Sequence, residues 1–136
     1  MAMEGKIVKL TVIMNDLSVM GGNFKSKFKH TVCNDGTVTY LVYNAVGLPL
    51  ETKKTSKSTE EVDAFFQTLV KDVNFFDWNS RYYSDACGGF RWEIDVQSDS
   101  GEHFNPHGYI KLPPNWNKFA ALVAEFTGFP LYVTGE

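Results

Sequence analysis

The chain has 136 residues, 43% of them hydrophobic and 21% charged, the balance of one soluble domain large enough to bury a core without disulfides or metal. Its formal net charge of −3 offers no field that would gather nucleic acid or anionic lipid, which sets both aside as expected partners. Two cysteines, Cys33 and Cys87, are too few for a disulfide framework and lack zinc-site spacing, so free thiols and a cytoplasmic location are expected, with no cofactor and no metal.

Taken from the N-terminus, Ile7 to Met14 is β-branched and apolar and reads as a strand. Lys6 and Lys9 interrupt the apolar character there, which fits neither a signal peptide nor a membrane span. The stretch Asn15 to Asn23, with Gly21-Gly22, carries loop chemistry. Phe28, His30 and Val32 then alternate with Lys27, Lys29 and Thr31, and Val38, Tyr40 and Val42 alternate after Asn34-Asp35-Gly36. An Asp-Gly turn between alternating runs predicts a β-hairpin, with the lysines on its wet face and His30 half-buried on the apolar one.

Leu50 to Thr55 predicts a short, lysine-guarded edge strand. Ser58-Thr59-Glu60-Glu61 has the spacing of a capping box, and Val62, Phe65, Phe66, Leu69, Val70 and Val73 form one apolar stripe at helical period, so a helix is expected from Ser58 to about Asn74. Phe90, Trp92, Ile94 and Val96 alternate with Arg91, Glu93, Asp95 and Gln97 as a half-buried strand. The return segment, Glu102 to Leu112, contains Pro106 and Gly108 and is expected to be a bulged or edge strand. Pro113-Pro114 is placed at the start of the last helix, with a stripe from Trp116 to Phe126 and Gly128 as its closing residue. Strands joined by short turns, with two helices, predict one α+β domain spanning residues 1–136: an antiparallel sheet of five to six strands with both helices on one face.

The candidate chemistry gathers between Asp77 and Trp92 and just after it. Cys87, in a Cys-Gly-Gly turn with Asp85 close in sequence, is a candidate thiolate nucleophile if His103 or His107 meets it in space. As strand residues four apart, His103 and His107 would lie about 13 Å apart, too far to share a metal. The loop also carries Trp78, Arg81, Tyr82 and Tyr83, to which Tyr109 can be added. Rigid rings with polar tips and an arginine are the residues of interface hot spots. No P-loop, dinucleotide fingerprint, nucleophile elbow, HExxH or EF-hand spacing is present, which removes the enzyme classes with strong signatures.

The pattern of Asp35-Gly36, Trp78, Tyr82 or Tyr83, Gly89-Phe90-Arg91-Trp92, Gly108 and Pro113-Pro114-Asn115-Trp116 resembles that of a loose group of small uncharacterised bacterial α+β proteins. The resemblance spans most of the chain and implies a fold but no activity. Members usually carry Asp-Gly where this chain has Gly88-Gly89. The expected function is therefore a binding or interaction module, of which inhibitors and immunity proteins are one form, acting through its aromatic loop on a protein partner or a second copy of itself. The alternative is a small-ligand receptor or enzyme with a pocket near Cys87, Asp85 and His103 or His107.

Overall fold

The computed structural model describes residues 6–17, 25–84 and 89–131. Eight strands form a single mixed sheet that carries two α-helices, an α+β architecture. The strands are β1 (Ile7–Asp16), β2 (Lys25–Cys33), β3 (Thr37–Asn44), β4 (Pro49–Ser56), β5 (Arg81–Tyr83), β6 (Phe90–Ser98), β7 (His103–Phe104) and β8 (His107–Tyr109). The helices are α1 (Thr59–Thr68) and α2 (Trp116–Thr127). Across the sheet the order is β4-β3-β2-β1-β6-β8-β5, with β7 pairing β6.

Two expectations about the sheet are corrected. Arg81 to Tyr83, expected as loop, form a strand that pairs in parallel with β8, so the sheet is neither purely antiparallel nor limited to five or six strands. The return segment, expected as one bulged or edge strand, is broken at Pro106 into two short pieces: β7 pairs with β6 alone at the edge, whereas β8 lies inside, between β6 and β5. Pro106 still bonds to the sheet, because its carbonyl accepts from Ile94 N at 2.9 Å.

The inner face follows the alternation of the sequence. Leu10, Val12 and Met14 of β1, Phe28 and Val32 of β2, Val38 and Val42 of β3, and Trp92, Ile94 and Val96 of β6 are buried in one cluster with Val62, Phe65 and Phe66 of α1 and Trp116, Phe119 and Val123 of α2. Burial of that apolar area is the main force holding helices to sheet. The β2–β3 turn depends on Gly36, whose φ of +100° is disfavoured for other residues; the Lys57 carbonyl also stands where a Cβ would be. Asp35 Oδ1 accepts from Thr37 N at 2.9 Å and completes the turn.

Helix α1 opens on the capping box: Ser58 Oγ accepts from Glu61 N at 3.0 Å and Glu61 Oε1 accepts from Ser58 N at 2.9 Å. Its continuation, Leu69–Val73, is wound as a π-helix and ends at Asn74 in the left-handed region. The wider winding keeps Leu69 and Val73 in the core and turns Val70, expected in the apolar stripe, outward. Helix α2 begins at Trp116, after Pro113-Pro114, because Asn115 takes a left-handed conformation at the N-cap. Gly128 closes it, donating to the Ala124 carbonyl. Beyond it Phe129 lies flat on Tyr40, ring centroids 4.4 Å apart, and its carbonyl accepts from His30 Nε2 at 3.1 Å. His30 is fully buried rather than half-buried, at 1% exposure.

Candidate functional site

The helices cover one face of the sheet, and the strand register decides which polar side chains share the other. Residues directly opposite across paired strands point to the same side. Followed strand by strand, Tyr43, Lys27, Asn15, Arg91, Tyr109 and Tyr83 stand in one row from β3 to β5. The next row runs Leu41 of β3, Lys29 of β2, Ile13 of β1, Glu93 of β6, His107 of β8 and Arg81 of β5. Both rows lie on the open face, opposite in parity to the buried core residues.

At the β5 end these side chains touch. The Arg81 guanidinium lies 5.2 Å from the centre of the Tyr83 ring, a cation–π contact, and the Tyr83 ring meets His107 edge-on at 5.9 Å. Tyr83 is 47% exposed and offers its ring to solvent. His107 Nδ1 donates to the Asn105 carbonyl at 3.1 Å, which in the neutral ring leaves Nε2 as an acceptor. Asn105 Nδ2 donates to Ile94 O at 2.6 Å and to Glu93 Oε2 at 3.1 Å, fixing the bend between β7 and β8 that carries His107.

The aromatic residues singled out in the sequence separate into two groups. Arg81, Tyr83 and Tyr109 are together on the open face. Tyr82 has the opposite parity: its ring lies 5.9 Å from Trp92 and its hydroxyl accepts from Asn79 N at 2.9 Å. Trp78 is 5% exposed and packs edge-on against Trp92 and Phe119. These two rings support the surface from beneath. His107, expected beside Cys87 rather than with the rings, joins them here, and Arg91, Lys27 and Tyr43 are additions that the sequence did not single out. Their strands show the alternation that places each on the wet face, but only the pairing register aligns them.

The pocket expectation fares differently. Asp85 and Cys87 lie outside the described residues. His103 Nδ1 is engaged with Asp95 at 3.1 Å, and His107 with Asn105, so each histidine is held by its own partner. Among the described residues no three His, Cys, Asp or Glu side chains group as a metal site. Open depressions on the described surface include two beside the helices. One, of about 350 Å³, lies between Phe65 of α1 and Phe126 of α2; the other, of about 490 Å³, lies at the start of α2 around Trp116.

Backbone strain sits beside the site. Ile110, a β-branched residue, has φ of 67°, a conformation that costs on the order of 1 kcal/mol or more. It follows Tyr109 directly, and Lys111 N closes the turn on the Tyr109 carbonyl at 2.7 Å. The turn brings the Lys111 carbonyl to Trp92 Nε1, which donates to it at 2.7 Å. Strand β8 is thereby tied to the core immediately behind the exposed rings.

No helix among the described residues is long and apolar enough to cross a membrane. No protein-family model matches the chain, and no curated protein matches it.

Proposed function

We propose that this protein is a small cytoplasmic binding module whose contact surface is the open face of the sheet where β6, β8 and β5 meet. The observation that carries the reading is the convergence of Arg81, Tyr83, His107 and Tyr109 on one face at the sheet's edge, with rings held by strands rather than by a free loop. Rings and guanidinium groups presented in fixed positions lose little entropy on contact and bring large area, which is why they anchor interfaces. Trp92, bonded to the Lys111 carbonyl, anchors β8 beneath them.

The reading is tested by replacing Arg81, Tyr83 and Tyr109 with Ala in one variant and comparing what it and the wild type retain from a cell lysate. The substitutions fall on the wet face, so the circular dichroism spectrum should be unchanged while the retained partner is lost. A variant that retains the same partner at the same yield would sink the proposal.

A further inference from the structure

Although the chain is net acidic, the open face of its sheet is basic. Among the described residues, the strand side chains that register places on that face include Lys9, Lys27, Lys29, Lys54, Arg81 and Arg91 against two carboxylates, Glu93 and Asp95. The formal charge of the whole chain is −3, so the acidic excess lies elsewhere. Both carboxylates are already engaged, Asp95 with His103 and Glu93 with Asn105.

The cations are flanked by rings. In the row that crosses the sheet, Tyr43 and Lys27 are neighbours, then Asn15, then Arg91, Tyr109 and Tyr83. Lys27 Nζ lies 5.7 Å from the centre of the Tyr43 ring, as Arg81 lies over Tyr83, so each end of the row pairs a ring with a cation. With strands spaced by about 4.8 Å, the row from Tyr43 to Tyr83 extends about 24 Å, the length of a few extended nucleotides. Cations that track a backbone and rings on which bases stack are the two components of single-strand binding. A folded acidic protein would use the cations but gives no reason for rings at both ends of the row.

We propose that this face binds single-stranded nucleic acid, laid across the strands with its bases on Tyr43, Tyr109 and Tyr83 and its phosphates on Lys27, Lys29, Arg91 and Arg81. The inference rests on the reading of the open face as a binding surface and names the partner class. A duplex would not expose its base faces to the rings, so the single-stranded form is preferred.

The test is fluorescence anisotropy with labelled 12-mers of oligo(dT) and oligo(U), a duplex of the same length, and polyglutamate as a competitor, at 50 and 200 mM salt. Single strands should bind more tightly than duplex, polyglutamate should compete poorly, and affinity should fall with salt. The double variant Lys27→Glu with Lys29→Glu should lower affinity about tenfold or more and flatten the salt slope by about 1.4. Tyr43→Ala and Tyr83→Ala should each cost about tenfold. Lys71→Glu, on the helical side, should cost nothing. Thermal melts matching the wild type keep the variants interpretable.

Absence of single-strand binding at 50 mM salt, equal binding of duplex or polyglutamate, or insensitivity to the Lys27 and Tyr83 substitutions would each overturn the assignment. If lysate capture is lost in the Arg81, Tyr83 and Tyr109 variant yet survives nuclease treatment, and oligonucleotides do not bind, the binding surface stands and its partner is a protein. If that variant captures normally, the surface itself is misassigned.

Discussion

Gly108 lies opposite Trp92 in the β6–β8 register, and the Trp92 indole occupies the space where any other residue would carry its Cβ. An added methyl would meet the Tyr82 backbone carbonyl most closely, and Nε1 at 2.6 Å and Cε2 at 2.8 Å. The indole would have to move, and its bond to the Lys111 carbonyl would be strained or lost. Gly108→Ala is therefore expected to cost about 2–4 kcal/mol, from overpacking together with a weakened buried hydrogen bond. Urea denaturation followed by tryptophan fluorescence reads this directly, and a midpoint equal to the wild type would show that the indole has room to shift.

His30 makes stability depend on pH. Burial holds the imidazole neutral and pushes its pKa down from 6.5 to about 4, only partly opposed by the bond to the Phe129 carbonyl. The unfolded chain takes up the proton near pH 6.5, while the folded chain refuses it until about pH 4. The stability is thus fully present above pH 6.5 and is lost progressively as pH falls toward 4, by about 3 kcal/mol in total. His30→Gln removes the titrating group and keeps a donor for Phe129. Urea midpoints between pH 7 and pH 4 should fall less steeply in this variant than in the wild type, and parallel slopes would refute the role of His30.

The inner face was legible because its signal is local. Phe90, Trp92, Ile94 and Val96 alternate within one strand, and Asp35-Gly36 marks its own turn. Strand β5 was not legible, since Arg81 to Tyr83 is too short to show a period and takes its partner from a distant segment, β8. The grouping of the aromatic residues was not legible for the same reason. Trp78, Tyr82 and Tyr83 are all aromatic in sequence, and only the parity imposed by β8 turns Tyr83 outward while Tyr82 faces Trp92. The row from Tyr43 to Tyr83 is a property of register alone, because Lys27 and Arg91 share a face only through β1.

The capping box offers a cleaner energetic test, because Ser58 and Glu61 lie at the surface. Ser58→Ala removes the acceptor for Glu61 N and leaves a helix-end amide without its side-chain partner. The expected cost is about 1 kcal/mol, the usual value for a serine N-cap. Ser58→Asp restores an acceptor and should recover most of it. If both substitutions lower the urea midpoint equally, the hydroxyl is not acting as a cap.

Two buried tryptophans of the core differ in how their indole nitrogens are satisfied. Trp92 Nε1 donates to the Lys111 carbonyl at 2.7 Å, whereas Trp78 Nε1 is buried and finds no acceptor among the described residues. Replacing either ring with Phe removes similar apolar area. At Trp92 the change also strands the Lys111 carbonyl, while at Trp78 it eliminates a desolvated donor that already carries a penalty. Trp92→Phe should thus be the more destabilising of the two by about 1–2 kcal/mol. Paired urea titrations decide the point. If Trp78→Phe costs as much as Trp92→Phe, the Trp78 indole has an acceptor in solution, and a buried water between Trp78 and Trp116, whose Nε1 is equally unmatched, is the group that fits.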